Sequence, residues 1–143
     1  MSVLYDKSYD SSPRRSAIRV LLVDDHARVR AALRDLLESY PNLSLVGEAS
    51  NGEEAVRLVQ ELSPSVVVMD INMPKLNGID ATLRIKMSYP HVVIVGLSVS
   101  ASDAHRRAMT AAGATTLISK YMAVEQLYLE IQAAINGRST ASH

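Results

Sequence analysis

At 143 residues the chain has room for one domain with one proper core, and a second folded module is not expected. Fifteen basic and fifteen acidic residues balance to zero net charge, which argues against direct nucleic-acid or acidic-membrane binding by this segment. The absence of cysteine excludes disulfides, thiolate metal sites and a thiol nucleophile. No apolar run nears the roughly 18 residues of a membrane span and no signal-peptide core is evident, so a cytoplasmic location is expected.

Residues 1–17, "MSVLYDKSYDSSPRRSA", have no hydrophobic period and read as an N-terminal arm. "IRVLLV" (18–23) is a β-branched apolar strand, and the helix after it, within 26–40, aligns Val29, Leu33, Leu36 and Leu37 on one face. The pattern repeats with "LSLVGEA" and then "NGEEAVRLVQEL", whose apolar stripe is Ala55, Leu58, Val59 and Leu62, with Asn51 as N-cap and Pro64 as stop. "VVVM" (66–69) is the third strand, and Gly78 to Ser88 form a shorter helix ended by Tyr89-Pro90. "VVIVGL" (92–97) is the fourth strand; an Ala-rich helix with a thin apolar face follows, closed by Gly113, and should be the least firmly packed. "TTLIS" (115–119) is the fifth strand. The last helix carries Val124, Leu127, Tyr128, Ile131 and Ile135 on one stripe, Gly137 is its expected end, and 138–143 read as a linker or tail. Strict strand–helix alternation calls for a doubly wound α/β domain over residues 18–137, a parallel sheet of five strands with helices on both faces.

Ligands of such sheets sit outside the carboxyl ends of the strands. Strand one ends in Asp24 and Asp25, strand three in Asp70 and Asn72, strand four in Ser98 and strand five in Lys120. An ionised carboxylate ending a buried apolar run is costly unless something compensates it. With strands one and three adjacent, the carboxylates would crowd and raise one another's pKa unless a cation neutralised them. Magnesium suits an oxygen-only cluster that leaves a position for a phosphate oxygen, the Asn72 backbone carbonyl adding a ligand. Lys120 then reads as a point charge for a phosphoryl group, Ser98 as its hydroxyl donor, and Asp70 as the nucleophile that would form an acyl phosphate.

The set "VDD", "MDINMPKLNG", "LS" and "SK" resembles the receiver domain of two-component response regulators, the CheY-like family, over about residues 18–137. "MPKLNGID", "LSVSASD", "AGATTLISK" and "AAINGR" look most like receivers of the NarL/FixJ type. The resemblance implies the flavodoxin/CheY-like strand order 2-1-3-4-5. It implies that a histidine kinase or phosphotransfer protein phosphorylates Asp70, that magnesium is held by Asp24, Asp25, Asp70 and the Asn72 carbonyl, and that Ser98 and Lys120 contact the phosphoryl oxygens. It further implies an output domain, usually a DNA-binding helix-turn-helix of a transcriptional regulator, reached through a linker beginning about Gly137. Switching of a partner, or homodimerisation, is expected through the face of the fourth helix, fifth strand and fifth helix.

Two positions depart from the family pattern. Many receivers carry an aromatic three residues before the lysine, where this chain has Leu117, and the chain holds no Phe or Trp. Many have a cis proline after the lysine, where this chain has Tyr121; a cis bond without proline costs about 2.5 to 4 kcal/mol, so trans is expected. These departures give weight to a pseudo-receiver or plain binding module as an alternative. An aspartate-nucleophile phosphatase is disfavoured because position 72 is Asn rather than a second carboxylate, and no turnover on external substrates is expected. No glycine-rich nucleotide fingerprint follows strand one. His26 reads as a polar helix-start residue near the metal site, Arg14-Arg15 and Arg106-Arg107 as solvated pairs, and Asn77 and Gly78 as turn residues. Met69 and Met87 read as core filler and Met73 as loop packing.

Overall fold

The computed structural model describes residues 17–141, so the expected arm, apart from Ala17, and the last two residues of the tail lie outside the described residues. In chain order the elements are β1 (Ile18–Val23), α1 (Ala27–Glu38), β2 (Leu43–Ala49), α2 (Gly52–Leu62), β3 (Val66–Asp70), α3 (Gly78–Ser88), β4 (Val93–Ser98), α4 (Asp103–Ala112), β5 (Thr116–Ser119) and α5 (Ala123–Ala141). A single 3-10 turn, Lys120–Met122, leads into α5. The sheet has five parallel strands in the order β2-β1-β3-β4-β5, as expected.

Alternation along the strands divides the core in two. Leu21, Val23, Val67, Met69 and Ile94 pack toward one side with Ala55, Val59, Ile85 and Met109 of α2, α3 and α4. Val20, Leu22, Val66, Val68 and Val95 pack toward the other with Leu33, Leu37, Leu127 and Ile131 of α1 and α5. Because both faces are covered, every side chain of β3 is buried, and that is why its sequence is a continuous apolar run rather than an alternation. β1 and β3 pair Val23 with Met69, which sets Asp24 and Asp70 side by side at the carboxyl edge.

The caps hold the helices in the expected places. Asn51 accepts the Glu54 N–H at 2.9 Å, Asn77 accepts the Asp80 N–H at 2.9 Å, and Gly113 closes α4 in the left-handed conformation at φ 112°. α4 buries only Met109 and Ala112, the thin face its composition predicts.

Three expectations are corrected. Val124 is 72% exposed: the buried stripe of α5 is Ala123, Leu127, Ile131 and Ala134, with Tyr128 and Ile135 flanking it, and Val124 lies about 100° around the helix from Ala123. Met87 is 77% exposed because it sits two residues, about 200°, beyond buried Ile85. α5 does not end at Gly137 but continues to Ala141, since glycine weakens a helix by about 1 kcal/mol without breaking it.

Candidate functional site

Four loops meet at the carboxyl edge of the sheet. Asp24 is fully buried, Asp70 is 1% exposed, and the Asp25 side chain is 25% exposed. Lys120 reaches in from the end of β5, with its Nζ 2.7 Å from Asp24 Oδ2 and 3.3 Å from Asp70 Oδ2. The Asn72 N–H donates to Asp70 Oδ1 at 3.1 Å, and the His26 N–H donates to Asp24 Oδ1 at 2.8 Å, so the loop backbones fix both carboxylates. One donor atom from each of Asp24, Asp25, His26 and Asp70 lies within 4.8 Å of the others. The His26 ring therefore adjoins the acids, its Nδ1 3.1 Å from Asp25 Oδ1.

The electrostatics follow from burial. Burial pushes the Asp70 carboxyl up to about 6; the Lys120 ammonium and the Asn72 N–H pull it down, and the neighbouring Asp24 pushes it up again. Burial works against the charge on Lys120 too, but Asp24 and Asp70 outweigh it and hold its ammonium above the ordinary lysine range. Three carboxylates against one ammonium leave the cluster short of positive charge. Asp24 Oδ2, Asp25 Oδ1 and Asp70 Oδ2 are buried, and the first and third of them share the single Lys120 ammonium as their charged donor. Buried oxygens of that kind, from a donor set rich in carboxylates, suit a hard divalent cation such as magnesium.

Asp24, Asp25, Asp70, Asn72 and Lys120 thus come together as expected. Ser98 does not join them directly. It is buried at the end of β4, but its hydroxyl donates to the Ser100 carbonyl at 2.9 Å and accepts the Ser100 N–H at 3.1 Å. The departures also take definite form. Leu117 is 2% exposed and packed in the core against Met109 and Gly96. The described residues contain no cis peptide bond, so the peptide before Tyr121 is trans. Tyr121 has an N–H where proline has none, and the Ser119 hydroxyl accepts it at 3.2 Å.

Several supporting residues carried no signal in the sequence. Arg30 donates through Nη1 to the Asp24 carbonyl at 2.6 Å and through Nε to Glu48 at 3.2 Å, tying the acidic loop to β2. A Cβ on Gly78 would lie 2.1 Å from the Asp70 carbonyl oxygen, so the start of α3 can press against the phospho-acceptor candidate only as glycine. The expectation that Asn77 and Gly78 are turn residues is corrected: Asn77 caps α3 and Gly78 is the first residue of that helix, more constrained than a turn requires. A cleft of about 400 Å³ runs beside the cluster, lined by Asp25, Asn72, Met73, Asn77 and His105 among others.

Comparison with known proteins agrees with this geometry. The chain is 34% identical over 121 residues to the response regulator GacA of Pseudomonas viridiflava, covering 85% of this chain and 56% of that protein. It is 39% identical over 122 residues to the transcriptional regulatory protein LiaR of Bacillus subtilis, covering 84% of this chain and 57% of that protein. The chain thus spans little more than half the length of these curated relatives. A two-component response regulator of the LuxR family from Aurantimonas sp. SI85-9A1 superimposes with a TM-score of 0.82 at 35% identity, covering 86% of this chain and 88% of that one. With the response regulator receiver domain model matching residues 20–132 and the acidic edge assembled as described, the chain belongs to the response regulator receiver family of two-component systems.

Proposed function

We propose that this receiver accepts a phosphoryl group on Asp70 from a histidine kinase or phosphotransfer protein. The observation that carries the reading is the Lys120 ammonium, set 2.7 Å and 3.3 Å from two buried carboxylates. In the transfer, a carboxylate oxygen of Asp70 bonds to phosphorus as the bond to the donor histidine nitrogen breaks, and that nitrogen leaves with the electron pair. The Asn72 N–H holds Asp70 Oδ1 while Oδ2 faces Lys120. Lys120 moves from balancing the carboxylates to balancing phosphoryl oxygens, and Ser98 turns from Ser100 to donate to one of them. Asp24, Asp25, Asp70 and the Asn72 carbonyl are the residues that would hold magnesium. The ion, when bound, supplies the positive charge that Lys120 alone lacks.

The chain's own role is to be phosphorylated and slowly dephosphorylated, not to turn over external substrates. Asn72 supports this, since its side chain cannot act as the second acid or base of a phosphatase. Transcriptional control through an attached output domain is supported by the name of LiaR, a transcriptional regulatory protein, and by the 57% of its length that this chain covers. Homodimerisation through the face of α4, β5 and α5 belongs to the same reading, as does a cytoplasmic location. No helix among the described residues is long and apolar enough to cross a membrane.

Mass spectrometry of the native protein after incubation with acetyl phosphate and magnesium tests the reading. One added phosphoryl group is expected on the wild type and none on Asp70→Asn. An equal gain on both, or none on either, would refute it.

A further inference from the structure

The β4–α4 turn contains a hydrogen-bond arrangement that phosphoryl transfer does not by itself explain. The Ser100 carbonyl accepts the Ser98 hydroxyl at 2.9 Å and also lies 3.1 Å from His105 Nδ1. A carbonyl has no proton to give, so the imidazole donates, which puts the ring proton on Nδ1. His105 is fixed in the first turn of α4, where the Ser102 hydroxyl accepts its backbone N–H at 3.1 Å. Its ring lines the cleft shared with Asp25 and Asn72. The Ser102 N–H donates to the same oxygen at 3.0 Å, so one carbonyl has three donors: a hydroxyl on the strand that ends at the acidic edge, a backbone N–H at the helix cap, and an imidazole on the neighbouring helix.

We propose that His105 is a positioning residue for phosphoryl recognition, holding the Ser100 carbonyl so that the Ser98 hydroxyl is free to leave it. The inference rests on the reading of Asp70 as phospho-acceptor. Three donors compete for the two lone pairs of one oxygen and weaken one another, so the hydroxyl, the donor with another acceptor in reach, is the one released. Without the imidazole, the Ser98 hydroxyl and the Ser102 N–H share the carbonyl between them, one donor to each lone pair, and every turn of Ser98 toward a phosphoryl oxygen breaks a stronger bond. Removing His105 thus strengthens the hold on Ser98 and disfavours the state with a group on Asp70. His105 also makes the turn and the first turn of α4 share one acceptor, which couples the hydroxyl to the helix.

Beryllofluoride binding in the presence of magnesium reads this directly, because the adduct presents phosphoryl-like acceptors without turnover. His105→Ala is expected to bind it about fivefold more weakly, the equivalent of one net hydrogen bond. His105→Asn, whose amide nitrogen stands near the position of Nδ1, should restore most of the affinity. Magnesium affinity without beryllofluoride and melting temperature should stay at wild-type values, whereas a merely structural role would lower both. In a Ser98→Ala background the His105→Ala loss should vanish. Equal losses in both backgrounds, unchanged or tighter binding by His105→Ala, or no rescue by His105→Asn would each overturn the proposal. If the wild type bound no beryllofluoride, or Asp70→Asn bound it as well, the phospho-acceptor reading itself would fail and the inference with it.

Discussion

The acidic edge and the α4–β5 face lie within one domain, yet they are built on opposite principles. At the edge, groups that would each be costly alone offset one another: Asp24 and Asp70 are buried, and Lys120 lies within 3.3 Å of both. On the α4–β5 face the contacts are mainly apolar packing and backbone hydrogen bonds, and no aromatic ring stands three residues before the lysine. Leu117 is locked in the core, Met109 wedges beneath α4, and Arg106 donates to the Leu117 carbonyl at 2.6 Å. Transfer chemistry needs fixed charges in a fixed geometry, so that region has few solutions. A face that switches, the role proposed for α4–β5, needs only two packings of similar energy, and many side chains can supply them.

The comparison can be broken by substitutions on either side. The largest effect belongs to the edge: Lys120→Met should slow phosphorylation by acetyl phosphate on the order of 100- to 1,000-fold, as loss of a charge aimed at the transferring group does. A rate within threefold of wild type, measured by mass spectrometry against time, would mean the ammonium is structural. Leu117→Ala should cost about 3 kcal/mol of stability in urea unfolding, because it empties a buried site, while Asp70 phosphorylation persists. Loss of phosphorylation in a folded Leu117→Ala protein would erase the distinction between the two regions.

Asp70→Asn should stabilise the magnesium-free protein by roughly 2 to 3 kcal/mol at pH 7. The sign follows from a folded pKa of about 6 against an ordinary 3.8: the folded state favours protonated Asp70, so the penalty is absent below pH 4, grows between pH 4 and 6, and is complete above. The gain from the substitution should therefore shrink to nothing at pH 4, and added magnesium should reduce it at pH 7. The smallest effect is on the exposed part of the α4–β5 side. Tyr121→Ala should shift stability by less than about 0.5 kcal/mol, since the ring is 79% exposed and the Ser119 hydroxyl bonds the backbone, not the ring.

Much of the edge was legible because its residues are separated by whole strand–helix units and each closes a strand. Asp24, Asp25, Asp70, Asn72 and Lys120 needed only the strand order to bring them together. Ser98 was placed on the right edge, but the direction of its hydroxyl depends on the turn at Ser100, which no periodicity encodes. Helix faces were legible where the stripe is long, as in α2. They failed at Val124, where the 3-10 turn before α5 sets the rotation and small Ala123 takes the inward place. Gly137 misled because a stop signal acts only when the chain has a reason to turn. Arg30 and His105 stayed hidden because a side chain that binds a distant carbonyl leaves no spacing to read.

The central claim is that a buried carboxylate at the end of β3 is held ready by a shortage of positive charge. The most direct measurement is the carboxyl carbon resonance of Asp70, followed by NMR across pH with and without magnesium. A midpoint near 6 in the metal-free protein that falls when magnesium is added would agree with the account. A midpoint near 3.8 that magnesium leaves unmoved would contradict it.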